Sequence, residues 1–503
     1  LAGLILGLTA ILLPAWQQAH NQTVTAARRS VGRKGAPLWQ RVWLDVILLG
    51  LAAGFFWQSA GTGYEIVLAP EGVAAASVDY KAFLAPALFW VGSGLLLIRV
   101  IVTAIGANAL VRRLLAPIAG RLAPVVAASL ATQARRITLG VAMTALAVSF
   151  GTSTAIFNAT YQAQARVDAM LTNGADVGVF GTTDAPSSLH LAQLAAMPGV
   201  TAEPMQHRFA YVGSDLQDLY GISTASIRDV TQLSDAFFSG ITAAQAMAKL
   251  AAMPDGVLLS EETVSDFQLT LGDSLNMRLM AADHQYRTVP FTFVGVAREF
   301  PTAPKDSFLV ANAAYVAAMT GNALSEYVLL RTNGDPAALA AAVQAALPDM
   351  QVHDIAQVTR IIGSSLTAVN LTSLTRIELG FAVLMAASAA GLMLALGFND
   401  RRRSFAILSA IGAKQRQLGA FLWSEGLLVF TFGSVLGLLS GAVTAWMLVK
   451  LLTGVFDPPP EGLVMPVGYL ALLIGLVAAA VTVAVQLSEV SLRKRAVEQL
   501  REL

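Results

Sequence analysis

Six long stretches of this 503-residue chain carry no charged side chain. They run over 46–64, 82–98, 137–165, 379–398, 426–449 and 462–488. A hydrocarbon core of about 30 Å is crossed by roughly 20 apolar residues in a helix. A buried helix of a soluble domain imitates one such stretch, but not six. The chain also opens on an apolar run, Leu1–Leu13, with no Met and no basic segment ahead of it. That run is not a signal peptide; it reads as the remainder of a hydrophobic helix with residues upstream, and makes seven expected spans. Composition agrees: 55% of residues are apolar, 13% are charged, and mean hydropathy is +0.62. Soluble domains carry about 25% charged residues, so an ordinary cytosolic enzyme and a disordered chain are excluded.

The net charge of +1 hides an uneven distribution. Arg28, Arg29, Arg33, Lys34 and Arg41 lie between the first two spans. Arg112, Arg113, Arg121, Arg135 and Arg136 lie before the fourth, Arg401, Arg402, Arg403, Lys414 and Arg416 lie between the fifth and sixth, and Arg493, Lys494, Arg495 and Arg501 lie in the tail. The alternate connections carry Glu65, Glu71, Asp79, Asp457 and Glu461 against a single Lys81. Basic connections stay cytoplasmic, so the basic loops and the C-terminus are expected inside. One connection, about 158–372, holds 10 Lys and Arg against 20 Asp and Glu, hence −10, and the remainder of the chain is +11.

That acidic segment is too long for an unstructured loop and is patterned like a soluble domain. Short β-rich runs at 175–180, 256–260, 288–297, 307–310 and 326–331 predict strands. Helices are expected at 187–196, 243–252 and 336–346, the last opened by Asp335-Pro336. The fold class is therefore an α-helical transmembrane protein with an inserted α+β extracytoplasmic domain.

Catalytic patterns are absent. There is no cysteine, which excludes disulfides, thiolate metal sites and thiol catalysis. No phosphate-cradling loop of the G-x-x-x-x-G-K-[ST] kind occurs, and no G-x-S-x-G elbow. The five histidines, 20, 190, 207, 284 and 353, stand apart without metal-ligand spacing. Ser260-Glu261-Glu262 reads as a solvated helix start rather than a carboxylate pair. No enzyme activity, metal or bound cofactor is expected of this chain, and no nucleic acid.

The most informative stretch is Arg401-Arg402-Arg403-Ser404-Phe405-Ala406-Ile407-Leu408-Ser409-Ala410-Ile411-Gly412-Ala413-Lys414-Gln415-Arg416-Gln417. Ile407, Leu408 and Ile411 share one face of an expected short helix, and Gly412 suits a left-handed stop. Two readings stand side by side: a basic anchor with an interfacial helix, or a helix that docks in a groove on a cytoplasmic partner. In the following span, Gly433, Gly437 and Gly441 form two overlapping G-x-x-x-G repeats, the spacing that lets helices approach closely. Packing within one subunit explains them better than a dimer face. Glu425 at the inner end of that span is an intramembrane charge, expected to cap or to pair with a basic residue of the 401–417 loop. Arg376 and Glu378 fall at the outer end of their span. Ile156–Leu171 continues helical beyond the bilayer and Ile355–Leu374 returns, so that two helices would form a stalk.

The 401–417 stretch resembles the cytoplasmic coupling loop of FtsX/MacB-type ABC transporter permeases, with Arg402, Arg403, Ala406, Ile407, Leu408, Ala410, Gly412 and Ala413 matching. Ser404 and Ser409 depart from the acidic and basic residues common in that pattern. Residues 256–261, 271–273 and 293–301 are similar to the β-rich part of the MacB-like periplasmic domain, and Glu425–Gly433 to the span behind the loop. The likeness covers about 131–503. It implies that Arg402, Arg403, Phe405, Ile407, Leu408, Ile411, Gly412 and Ala413 contact a separate cytoplasmic ATPase dimer, which uses the ATP. The front parallels the last span, Val485–Arg501, and suggests the second half of a duplicated permease.

The division that follows is 1–14, the end of a helix; 15–43, a basic linker; 44–105, two linker spans; 106–137, a cytoplasmic amphipathic segment; 138–160, a span and stalk; 161–373, the outer domain; and 374–503, an FtsX-like unit with three spans. The resemblance implies a permease subunit for export or extraction of lipid, lipoprotein or peptide. Its implied partners are the ATPase, membrane lipid, a second permease copy and an extracytoplasmic protein. The alternative within the same architecture is a signalling protein that regulates a cell-wall hydrolase or sensor kinase. A membrane enzyme would need a polar constellation that the sequence lacks.

Overall fold

The computed structural model describes residues 37–62, 66–68, 74–76, 83–106, 109–303, 307–363, 371–410, 412–452, 460 and 462–499. The expected span Leu1–Leu13, most of the basic linker after it, and the far tail lie outside them. After a single turn at Leu38–Arg41, four helices follow: α1 (Leu44–Thr62), α2 (Leu84–Gly106), α3 (Ala109–Ala119) and α4 (Ala123–Thr132). The chain then enters α5 (Ala134–Asn173), a single 40-residue helix. After the outer domain come α8 (Ile355–Gly363), α9 (Leu371–Ala410), α10 (Gln415–Leu451) and α11 (Val467–Gln499); α6 and α7 belong to the outer domain, below.

Among the described residues, five helices are long and apolar enough to cross a membrane: Leu84–Gly106, Ala134–Asn173, Ile377–Ala395, Arg416–Leu451 and Val467–Val490. The span expected at 46–64 is present as α1, but its apolar stretch, Leu44–Ser59, is shorter than the other five. The last span starts at Val467, later than the charge-free run at 462, because Pro466 precedes the first helical residue.

At the inner end of the α1–α2 pair, Arg99 makes two 2.7 Å contacts to the fully buried carboxylate of Asp45. The same guanidinium lies 4.3 Å from the centroid of the Trp43 ring. This bidentate, ring-stacked geometry is specific to arginine.

The centre of the helical part is α5. Its Ile137, Val141, Ala145 and Val148 are buried among Ala386 and Leu394 of α9, Leu428 and Val429 of α10, and Leu473 and Val477 of α11. Contact with α10 is close because the glycines allow it. A Cβ at Gly437 would stand 2.6 Å from Val148 Cβ and 2.7 Å from the Ala145 carbonyl oxygen. One at Gly441 would stand 2.6 Å from the Ser149 carbonyl oxygen, and one at Gly433 2.8 Å from Thr144 Cγ2. The Gly433–Gly441 stripe therefore faces α5.

The outer domain is built on a ten-stranded sheet. Its strands are β1 (Val177–Phe180), β2 (Val200–Val212), β3 (Asp215–Ile222), β4 (Phe238–Ser239), β5 (Gly256–Ser260), β6 (Ser274–Met280), β7 (Tyr286–Ala297), β8 (Phe308–Asn312), β9 (Tyr327–Thr332) and β10 (Gln351–Asp354). The order is β10-β1-β9-β2-β3-β8-β5-β7-β4, with β6 pairing β2 and β7. The 13-residue β2 joins the two ends of this sheet: Val200–Met205 pairs antiparallel with β9, and Gln206–Val212 with β3. Helices α6 (Ala243–Ala252) and α7 (Pro336–Ala346) cover it. Thr242 opens α6 with a capping box, and Asp335 opens α7. Ser260 caps the short helix Glu261–Asp266, so the two glutamates are its first turn, and Glu261 pairs with Arg298 at 2.7 Å.

Glu203, in the middle of β2, is buried and accepts a 2.9 Å hydrogen bond from the Ser226 hydroxyl. Burial pushes its carboxyl above the usual carboxylate range, and the nearby Asp229 carboxylate adds to the rise. A carboxyl whose folded pKa is raised contributes stability at low pH, and that contribution is lost as pH rises through the folded value. Glu203→Gln is therefore expected to stabilise the sheet at neutral pH, with the gain vanishing once pH falls below the ordinary glutamate range. Hydrogen-exchange protection of the β2 amides in the full chain, compared at neutral pH and below that range, checks it.

Candidate coupling site and stalk

The inner end of α9 does not form a separate short helix, contrary to the sequence reading. The span runs without a break from Leu371 to Ala410, because no Gly or Pro interrupts the chain between Gly397 and Gly412. At about 1.5 Å per residue α9 is about 60 Å long, twice what a hydrocarbon core needs.

The stop is as expected. Gly412 has φ +98°, and the Ala413 N–H donates to the Leu408 carbonyl at 2.9 Å, a 6→1 closure of the helix end. The chain then reverses into α10, where the Lys414 N–H donates to Gln417 Oε1 at 2.9 Å. Phe405 is buried, its ring 6.0 Å from that of Phe421 at the start of α10. Ile407 and Leu408 are instead 60% and 38% exposed. The loop is thus pinned by an aromatic contact on one side and presents an apolar surface on the other. Arg402 and Arg403 fall in the same last turns of α9, and Ile411 lies outside the described residues.

Glu425 is fully buried, and among the described residues it meets a basic partner outside the 401–417 loop. Arg136, on the first turn of α5, donates from Nη2 to Glu425 Oε1 at 3.0 Å. Gly397 of α9 crosses directly over this pair: a Cβ there would collide with Arg136 Nη2 and come within 2.9 Å of Glu425 Oε2. Three helices, α5, α9 and α10, therefore meet at one ion pair at the inner membrane end. In the sequence Arg136 is only one more cytoplasmic positive charge and Gly397 carries no signal; the intramembrane Glu425 is the one available clue.

At the other end α5 is bolted to the sheet. It stops at Gly174, φ +81°, where Thr302 Cγ2 and Leu329 Cδ2 would crowd any Cβ. Asn173 is 1% exposed and donates from Nδ2 to the carbonyls of Ala175 and His353 at 2.9 and 3.3 Å. The Thr302 N–H donates to the Leu171 carbonyl at 2.7 Å. Ile355 and Val358 of α8 pack on Ala169 and Met170, forming the second element of the expected stalk. Residues 364–370, which would complete it, lie outside the described residues. Because α5 is one helix, a displacement at Arg136 reaches Asn173 without an intervening joint.

Among the described residues, no group of three or more His, Asp or Glu side chains is placed to hold a metal ion. One family description, the MacB-like periplasmic core domain, matches residues 137–346. A second, the FtsX-like permease C-terminal, matches residues 376–496. None of the curated proteins compared matches the chain. Among solved structures, the extracellular domain of the noncanonic ABC-type transporter YknZ from Gram-positive bacteria is 13% identical. That match covers 36% of this chain and 99% of the other at a TM-score of 0.23, too low to carry an argument. Permeases of the matched kind generally work with a cytoplasmic ABC ATPase. The two matched domains lie in the order that the fold shows, outer domain before permease unit and both on membrane-capable helices, and the chain belongs to the FtsX/MacB-like family as a multi-pass ABC transporter membrane subunit with a large extracytoplasmic domain.

Proposed function

We propose that this chain converts ATP hydrolysis by a separate cytoplasmic ATPase dimer into movement of the outer domain, by way of α5 and α9, for extraction or export of an amphiphile at the far membrane face. The observation that carries the reading is the exposed Ile407–Leu408 surface at the tip of a helix about 60 Å long, held by the Phe405–Phe421 contact and closed by Gly412. A helix presenting apolar anchors to a groove is a standard docking mode. Load applied at that tip reaches Arg136 and Glu425 through Gly397, and so reaches α5. Because α5 ends in the sheet, the outer domain follows.

The chain has no cysteine, so Ile407→Cys supplies a single thiol for a benzophenone probe. Irradiation of the complex with an ATPase encoded alongside the chain is expected to give a covalent adduct. The same probe at Leu472, exposed on the outer half of α11, is expected to give none. Absence of the adduct from the labelled Ile407→Cys variant would remove the assignment of this surface.

A further inference from the structure

Where α5 leaves the membrane the structure forms a half-open cleft of about 690 Å³. Its walls come from three separate segments: Thr160, Gln164 and Val167 of α5, Leu233 and Phe237 beneath the sheet, and Val464 of the connection between α10 and α11. The Val464 N–H donates to Thr160 Oγ1 at 3.0 Å, which ties that connection to the stalk. Because α10 ends at Leu451 and α11 begins at Val467, the connection marks the outer membrane surface, and the cavity sits at that level.

A second cavity of about 280 Å³ shares Met170, Gln232 and Leu233 with the first. Met170 lies ten residues beyond Thr160 on α5, about 15 Å further from the membrane. This smaller chamber carries Arg228 and Arg331. The segment 158–372 has only 10 cationic residues against 20 acidic ones, yet two of the ten meet here. One Arg331 Nη donates to the Asp229 carbonyl at 2.9 Å. Among the described residues Arg228 has no ion-pair partner. The Asp176 carboxylate in the same chamber has Oδ2 taken by the Thr332 N–H at 3.0 Å, and the Asp235 carboxylate in the larger one has Oδ1 taken by the Ala243 N–H at 2.8 Å.

We propose that the two adjoining cavities, which share Met170, Gln232 and Leu233, together bind a single-chain lipid with a net-anionic phosphate headgroup. The phosphate sits between Arg228 and Arg331, and the acyl chain descends along Val167 and Leu233 toward the membrane. Two guanidinium forks suit a phosphate, and the larger volume is in the range of drug-sized ligand sites. The inference rests on the proposed function for its biological sense, since a subunit that moves α5 against Val464 would change the shape of this chamber. Binding itself requires neither nucleotide nor ATPase, so the two readings fail separately.

The test uses the full chain in phosphatidylcholine nanodiscs, with a lysophosphatidylglycerol that carries a diazirine in its acyl chain. Saturable labelling of the peptides containing Val167 or Leu233 is expected. Unlabelled lysophosphatidylglycerol should compete at least about tenfold better than lysophosphatidylcholine, and millimolar inorganic phosphate should not displace the probe. Arg228→Glu with Arg331→Glu should lower labelling at least about tenfold. Leu233→Trp, which fills the chamber but keeps both charges, should abolish it while the thermal unfolding midpoint is kept. The proposal is overturned by labelling confined to the lipid-facing sides of α2 and α11, by equal competition from the zwitterionic lipid, by displacement with phosphate alone, or by unchanged labelling in either variant.

Discussion

Replacing Glu425 by alanine is expected to destabilise the helical part of the protein by about 3–5 kcal/mol, because it removes the buried carboxylate that the Arg136 guanidinium meets at 3.0 Å. The carboxylate is 1% exposed and its partner 17%, so water screens the pair little. Arg136→Met together with Glu425→Met should recover most of that loss, since a buried ion pair can be exchanged for apolar packing at little cost while a broken one cannot. Thermal unfolding of the detergent-solubilised chain measures both. An equal loss in the single and double variants would show that the two charges do not act as a pair. Gly397 is the residue that allows α9 to lie over the pair.

The α5–α10 contact gives the second large effect. Gly437→Leu is expected to separate the two helices, since even its Cβ would overlap Val148 and the Ala145 carbonyl. Overpacking of a close interface typically costs about 1–3 kcal/mol for small insertions, and a leucine at this site should exceed that range. Gly475 on α11 provides the control, because nothing lies within 4 Å of a Cβ placed there, and Gly475→Leu should be nearly neutral. A variant at Gly437 that unfolds at the wild-type temperature would mean that the helices do not approach as described.

Much of this architecture was legible in the sequence for plain physical reasons. A span needs an uncharged run of fixed length, and the strands at 256–260 and the helices at 243–252 and 336–346 keep uninterrupted apolar patterns with clear caps. The long strand β2 was not legible. Its interior holds Glu203, Pro204, His207 and Arg208, which break the alternation expected of a strand. Each of the three charged or ionisable groups finds its compensation far along the chain or on the neighbouring strand: Ser226 for Glu203, Thr320 and the carbonyls of Asn322 and Leu324 for Arg208, and Asp218, at 2.6 Å, for His207. Glu326 holds this stretch of strand as well, accepting the His207 backbone N–H at 2.9 Å and lying 3.6 Å from Arg208 Nε. Burial lowers the pKa of Arg208 while Glu326 opposes the fall. Polar groups that are satisfied only in three dimensions carry no local signal.

The site divides in the same way. Gly412 and the exposed Ile407–Leu408 face depend on local sequence and were read directly. The Arg136–Glu425 pair joins residues 289 apart, and no spacing rule connects them. The unbroken course of α9 was missed because basic residues at 401–403 look like the edge of a membrane helix, although arginine favours a helix as much as most residues do.

The central claim is that the tip of α9 couples this subunit to an ATPase. The most direct measurement is the ATPase turnover of the partner, reconstituted with the full chain in nanodiscs, for wild type and for Ile407→Asp. The aspartate is expected to lower the permease-dependent part of the turnover at least about tenfold, the effect of placing a charge in an apolar groove, while leaving the unfolding midpoint of the chain unchanged because Ile407 is exposed. Turnover that stays at the wild-type level would contradict the account.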